Sequence, residues 1–331
     1  MSSLTLAIPT FNAHPAHLRE ALDSIASQSR VGEVEVIVVD NASNVDGAQF
    51  LAECSLHFPQ FTFIRHESNL GYDRNVMRLL EQTMSDFVWF FGDDDILFDG
   101  AVDAMLSSLA AHPEAKTFLS RAVFFHETAD LTGRAHRTDG GHTVMRGVDY
   151  IRATAFTAAA LSTMCVEVNS MKSVPLEFAI GTNWIHFAAL LAVFSVDPEP
   201  TGVVIEQDLL AVRRSNATRW FTNFGNQYKS GLTLISMVSD GRSFGLREEL
   251  YTFFRDKRYA ANLIDILTLA WPLTTQDRRS LFRESRAHFG HRIRFRLIDG
   301  PLLCSPNWVK AFASGTISLT GRAKRALMKK S

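Results

Sequence analysis

The first third of the chain alternates two hydrophobic periods. Leu4-Thr5-Leu6-Ala7-Ile8 is a short apolar run stopped by Pro9, the pattern of a strand that gives way to a loop. After Pro15, apolar residues recur at Leu18, Ala21, Leu22 and Ile25, the stripe of an amphipathic helix. Val34 to Val39 is almost continuously β-branched, as expected of a parallel strand covered on both faces, and it ends at the polar Asp40-Asn41-Ala42-Ser43. Thr62 to Ile64 predicts a third strand, Val76, Leu79 and Leu80 a second helix, and Phe87 to Phe91 a fourth strand. This repeat of strand and helix predicts an α/β fold with a doubly wound sheet.

Later segments extend the pattern. Ala115 to Phe125 reads as a strand, Glu127 to Thr143 as a polar loop, Arg146 to Ala160 as a helix and Leu161 to Val168 as a strand. Tyr228 to Ser239, Leu246 to Phe254 and Tyr259 to Leu269 have helical periodicity, and a polar helix from Thr275 to His288 follows Pro272. One α/β domain over 1–225, in halves 1–115 and 116–225, and a helical region over 226–331 are expected.

In sheets of this kind ligands bind beyond the carboxyl ends of the strands. Four polar clusters fall there: Pro9-Thr10-Phe11-Asn12, Asp40-Asn41, Asn69-Leu70-Gly71-Tyr72-Asp73-Arg74-Asn75, and Asp93-Asp94-Asp95. Each alone reads as an ordinary turn; together on one rim they read as a site. Three adjacent carboxylates directly after an apolar strand, with only Gly92 between, have no packing reason to be there. They repel one another, and burying them is costly unless a cation or hydrogen-bond donors compensate. A divalent ion, Mn2+ or Mg2+, shared with a diphosphate and with Arg74 nearby, suits the set. The glycines of a dinucleotide fingerprint and the lysine of a phosphate loop are both missing.

These residues resemble family 2 glycosyltransferases of the GT-A fold. The resemblance is carried by Leu6-Ala7-Ile8-Pro9-Thr10-Phe11-Asn12, Val36-Ile37-Val38-Val39-Asp40-Asn41-Ala42-Ser43, Asn69 to Asn75 and Phe91-Gly92-Asp93-Asp94-Asp95, in that order. The last two look most like the abequosyltransferase-like branch that acts on O-antigen and other surface polysaccharides. The resemblance implies a Rossmann-like mixed sheet flanked by helices and an inverting transfer of a sugar from a nucleoside diphosphate donor to a hydroxyl. It places Pro9, Thr10 and Asn12 in the nucleoside pocket and Asp40 on the base. Asn69, Gly71 and Arg74 fall beside base and phosphates. Asp93 and Asp94 fall near the ribose, and Asp95 falls on the metal, with Asp93 able to join it. The acidic run stands for the family's DxD motif, although Gly92 occupies a position where members often carry Asp.

The family's base is the Asp of a Glu-Asp pair at a helix start, and here Thr182-Asn183 stands in its place. Asn cannot usefully take a proton. His186, one helical turn beyond Asn183, titrates near neutral pH and is the expected substitute, with Asp197 and Asp208 as alternatives. The stretch Arg213-Arg214-Ser215-Asn216-Ala217-Thr218-Arg219-Trp220 matches the place of a mobile loop that closes over the diphosphate. Arg213 or Arg214 is expected to do so, and Trp220 to face sugar or acceptor.

Net charge of the whole chain is −1, yet residues 286–331 hold ten Lys and Arg against Asp299 alone, a local net of +9. That segment suits an anionic bilayer surface, useful if the acceptor is a polyprenyl-diphosphate-linked glycan. Nucleic acid is not an expected partner, because no nucleic-acid-binding motif accompanies the charge. Cys54, Cys165 and Cys304 are scattered and suggest neither disulfides nor zinc. With no signal sequence and no apolar run of spanning length, the expectation is a cytoplasmic protein, peripheral at the inner face of the membrane. The missing Glu-Asp pair also allows a catalytically silent nucleotide-sugar-binding subunit, and the carboxylates allow another nucleotide-dependent transferase.

Overall fold

A buried strand must find hydrogen-bond partners on both edges, and the β-branched run at 34–39 does so. In the computed structural model, strand β1 (Leu4–Thr10) pairs in parallel with β2 (Val34–Asp40), Thr10 standing opposite Asp40. On its other edge β2 pairs in parallel with β3 (Phe61–Arg65), Asp40 opposite Arg65. On the other side of β1, β4 (Phe87–Phe90) is also parallel. The structure describes residues 2–44, 58–131, 137–154, 158, 160–197, 199–214, 224–256 and 275–301.

The remaining strands are β5 (Ile96–Leu97), β6 (Ala115–Phe125), β7 (His142–Arg146), β8 (Met164–Glu167) and β9 (Thr201–Arg213). The sheet order is β3-β2-β1-β4-β8-β6-β9-β5, with β7 also on β9. β8 runs antiparallel to both β4 and β6, so the expected mixed sheet is present. Strand side chains alternate between faces. Leu4, Leu6, Ile8, Val34, Val36, Val38 and Trp89 form one core with helices α1 (Pro15–Ala26) and α3 (Ala101–Ala111). Ala7, Ile37 and Val39 point the other way, where α2 (Tyr72–Gln82) packs on β1 and β2. Helices α4 (Gly147–Thr154), α5 (Val168–Lys172) and α6 (Ile185–Val196) follow. Residues 185–194 of α6 are buried on every side, consistent with the unbroken apolar run from Phe187 to Phe194.

Three strands depart from the expectations. β7 begins inside what reads as a polar loop, because it is an exposed strand with little apolar content. β5 is two residues long. β9 is long, but Glu206, Gln207 and Asp208 interrupt its alternation. Its register with β6 shifts there, from Ser120–Ile205 to Arg121–Asp208, a bulge that hides the period of two.

By its internal packing the chain divides into residues 1–215 with 240–247, and residues 216–239 with 248–331. The second unit holds most of α7 (Phe224–Gly241), a helical stretch at 248–256, α8 (Thr275–Phe289) and a π-helical turn, Phe295–Asp299. The expected helix at 259–269 lies outside the described residues.

Gly202 sits in β9 between β6 and β7, against the buried ring of Tyr150 from α4. A Cβ there would come within 2.3 Å of the ring. Gly202→Ala should therefore destabilise the protein by roughly 1–3 kcal/mol, the usual cost of overpacking. Denaturant unfolding checks this, and an unchanged midpoint would show that Tyr150 can move aside.

Candidate active site at the carboxyl rim of the sheet

Four parallel strands deliver their carboxyl ends to one rim, and short polar side chains fix the loops that follow. The buried amide of Asn75 on α2 donates to the Val39 carbonyl at 3.0 Å and the Thr10 carbonyl at 3.4 Å, pinning the ends of β2 and β1 together. Asn41 and the loop before α2 bond reciprocally. Asn41 Nδ2 donates to Asn69 Oδ1 and Asn41 Oδ1 accepts from the Leu70 amide, both at 2.8 Å, while Asn69 Oδ1 also accepts from the Gly71 amide. Asn12 has a left-handed backbone (φ 49°), accepts from the Asn44 amide and donates its own amide to Ser43 Oγ, each at 2.8 Å. Asp40 accepts from the Ser43 amide at 3.1 Å and pairs with Arg65 at 3.5 Å. Thus Pro9, Thr10, Asn12, Asp40, Asn69 and Gly71 all lie on this rim, and Arg74 is exposed in the first turn of α2.

The acidic run completes the rim. The Phe91 amide still bonds the Ala7 carbonyl at 2.9 Å, so the chain leaving β4 passes beside the end of β1. Thr10 Oγ1 then donates to Asp93 Oδ2 at 2.7 Å. Asp95 turns inward. One of its oxygens accepts from the Ser162 hydroxyl and the other from the Arg213 amide at 2.9 Å. Gly92 makes this turn possible, since a Cβ there would stand 2.8 Å from Asp95 Oδ2, and its amide donates to Ser162 Oγ at 2.7 Å. Burial, then the neighbouring Asp94, pushes the Asp95 carboxyl up to about 7. Burial also pushes Asp93 up to about 6, against the Thr10 hydrogen bond. Asp94 is raised by burial as well, opposed by the Arg213 and His17 charges. Among the described residues, Asp94 is the one member of the run whose carboxylate takes no hydrogen bond from another residue.

Arg213 was expected on a mobile loop over the diphosphate. It is instead the last residue of β9, with only 2% of its surface exposed. Its Nε donates to the Asp94 carbonyl at 2.8 Å, its terminal nitrogen pairs with Glu20 of α1, and its guanidinium lies 4.5 Å from the centre of the Phe125 ring. It clamps the acidic run from behind. Arg214 lies over the Phe124 ring at 4.5 Å, and Trp220 is outside the described residues.

The opposite wall is the segment before α6, and one carboxylate organises it. Asp73 of α2 accepts from the amides of Gly181 at 2.8 Å, Asn183 at 3.0 Å and Ile185 at 3.3 Å. These include free amides at the start of α6, where a negative charge is favoured. Asp73 stands in the Gly-Tyr-Asp-Arg-Asn motif, and nothing in that motif marks it as an anchor, because its partners lie 108 to 112 residues along the chain. Asn183 is exposed with φ 60°. His186 is only 6% exposed; its Nδ1 lies 3.0 Å from the Tyr72 hydroxyl and Trp184 stacks on its ring. The two alternatives are placed elsewhere. Asp197 follows the far end of α6, roughly 18 Å of helix from Ile185, and Asp208 accepts from the Arg137 amide at 2.7 Å in the bulge of β9.

Among the described residues no group of three or more His, Cys, Asp or Glu is arranged to hold a metal. Asp93 and Asp94, half-exposed at the rim, fit as one or two ligands of an ion whose other partners are phosphate and water. Asp95 fits less well, because both of its oxygens already serve the protein.

The sequence pattern of glycosyl transferase family 2 matches residues 5–165, the segment that carries this rim. Residues 5–165 belong to glycosyl transferase family 2. Curated relatives include an N-acetylglucosaminyltransferase of Mesorhizobium japonicum, 31% identical over 134 residues, 37% of this chain and 32% of the relative. Another is the abequosyltransferase RfbV of Salmonella typhimurium, 34% identical over 98 residues, 28% of each chain. The matches span about a third or less of these relatives' length. The fold is that of S. aureus TarS, solved with UDP-GlcNAc, at a TM-score of 0.63 and 14% identity, covering 86% of this chain and 81% of TarS. The mannosyltransferase PcManGT of Pyrobaculum calidifontis, solved with GDP-Man and Mn2+, superposes at 0.53 with 14% identity over 91% of this chain and 85% of its own. The family 2 domain therefore has the GT-A fold.

The raised carboxyls of this domain have a thermodynamic consequence. A group that holds its proton more tightly folded than unfolded makes stability fall as pH rises between the two pKa values. In chelating buffer the melting temperature should drop between about pH 4, the ordinary Asp range, and about pH 7. Asp95→Asn should make that slope shallower than the wild type's. An Asp95→Asn variant whose melting temperature changes with pH just as the wild type's does would contradict the inward placement of Asp95.

Proposed function

We propose that this protein transfers a sugar from a nucleoside diphosphate donor to a hydroxyl of a surface glycan, with inversion at the sugar carbon. The observation that carries this is the rim itself: Thr10, Asn12, Asp40, Asn69 and Gly71 beside a partly exposed Asp93–Asp94 pair, within a family 2 domain. Nucleotide-sugar donors accompany both solved neighbours, UDP-GlcNAc in TarS and GDP-Man in PcManGT.

In this reading the base and ribose lie against Pro9, Thr10, Asn12 and Asp40, with Asn69 and Gly71 beside them. Asp93 faces the ribose. Asp94, with Asp93, meets the ion, and Asp95 is the anchor that holds them in place. Mn2+ or Mg2+, when bound, neutralises charge on the leaving diphosphate. Arg74, exposed in the first turn of α2, adds a donor for phosphate oxygens. Arg214 stands next in chain to the clamp and is assigned to the diphosphate side. Asn183 orients the incoming hydroxyl, and His186 is assigned to take its proton.

The acceptor is assigned as a polyprenyl-diphosphate-linked glycan at the inner face of the cytoplasmic membrane, approached through the basic segment 286–331. RfbV, an abequosyltransferase, and RfbC of Myxococcus xanthus, an O-antigen biosynthesis protein, are the relatives that favour an O-antigen intermediate. No helix among the described residues is long and apolar enough to cross a membrane. A second reading, a nucleotide-sugar-binding subunit without turnover, is favoured by the exposed amide of Asn183 where an acid is expected.

Two measurements separate these readings. In a thermal-shift panel of uridine, guanosine, cytidine and thymidine diphosphates, one nucleotide should stabilise selectively and more so with manganese. Asp94→Asn should abolish the manganese increment. If Asp95→Asn abolishes it while Asp94→Asn keeps it, the ion belongs on Asp95. Slow donor-sugar hydrolysis that His186→Ala lowers at least about ten-fold, with nucleotide binding intact, supports a catalyst that uses His186. Nucleotide binding with no hydrolysis by the wild type supports the silent subunit.

A further inference from the structure

The second unit carries a surface that the rim does not use. Residues 275–301 contain seven arginines against three carboxylates. On α8, Arg279, Arg283 and Arg286 are exposed at spacings of four and three, so they share one helical face. Directly after α8, Ile293 is 74% exposed, Leu297 72% and Ile298 45%. Ile293 and Leu297 are one turn apart, with Ile298 beside Leu297. Two of the three acidic groups are tied up by protein. Asp299 is buried and pairs with Arg294 at 3.2 Å, and Glu284 accepts from Ser280 at 3.1 Å. An open depression of about 520 Å³ is lined by Phe282, Arg286, Phe295, Arg296 and Pro301.

Exposed β-branched and leucine side chains gain nothing from water, and three in six residues are more than scattered surface apolarity. Arginines flanking such a cluster match the two layers of an anionic bilayer, phosphate outside and acyl chain beneath. A guanidinium pair at a shallow basin suits a lipid phosphate, which takes forked donors well.

We propose that residues 279–298 form a membrane-docking face. Ile293, Leu297 and Ile298 enter the acyl boundary, and Arg286 and Arg296 hold the phosphate of an anionic lipid. The proposal rests on the membrane-proximal reading above, and gives it specific residues. It also shifts the contact from the basic carboxyl tail to the end of α8 and the turn that follows.

Cosedimentation of the full chain with phosphatidylethanolamine vesicles, with or without phosphatidylglycerol, tests it. The wild type should bind the phosphatidylglycerol vesicles and be released by salt. Ile293→Glu with Leu297→Glu, and separately Arg286→Ser with Arg296→Ser, should each weaken binding about ten-fold or more. All four positions are exposed, and unchanged melting temperatures would confirm that both variants fold. Equal binding of both variants and the wild type would overturn the proposal, as would equal binding to vesicles lacking phosphatidylglycerol. A lower solution mass of the glutamate variant by light scattering, with vesicle binding unchanged, would instead give the face to a second copy of the chain. Nucleotide stabilisation read on the same samples keeps the outcomes separate. Its absence from the wild type would sink the transferase reading while leaving the docking result intact.

Discussion

A single inward-turned carboxylate organises the rim. Asp95 ties the loop after β4 to the Ser162 hydroxyl just before β8 and to the amide of Arg213 at the end of β9. The loop after β4, the turn before β8 and the end of β9 are thereby joined. A buried carboxylate without donors would be costly, so the position tolerates Asp only because both oxygens are satisfied. The arrangement also requires Gly92, whose missing side chain leaves room for Asp95 Oδ2. With Asp95 fixed and Arg213 clamping the Asp94 carbonyl, Asp93 and Asp94 have little freedom and stay at the edge of solvent. Preorganised groups of this kind act without having to reorganise when charge develops.

The same economy operates on the other wall. Asp73 gathers the amides at the start of α6 and thereby sets Asn183 in a left-handed conformation at the surface. Two carboxylates whose oxygens are taken up by protein donors thus fix the two sides of the rim. Both are raised by burial, so both depend on hydrogen bonds to stay folded in place.

Much of the fold was legible because parallel strands advertise themselves. The runs at 4–8, 34–39 and 87–91 are apolar on both faces, and each ends in a polar cluster that the structure places on one rim. What stayed hidden was long-range. Asp95 reads as an outward ligand in sequence, since Ser162 and Arg213 are 67 and 118 residues away. Arg213 reads as loop because the bulge at Asp208 conceals β9. His186 reads as a base in sequence, but its partner Tyr72, 114 residues away, does not show there. The amphipathic face at Ile293 and Leu297 was masked by the larger charge signal of the tail beyond it.

The most direct test of the central claim is a structure with a nucleoside diphosphate and manganese bound. The account predicts the ion on Asp94, the nucleoside against Thr10, Asn12 and Asp40, and Asp95 still bonded to Ser162 and the Arg213 amide. An ion on Asp95 with the Ser162 bond broken, or a nucleotide bound away from the rim, would contradict it.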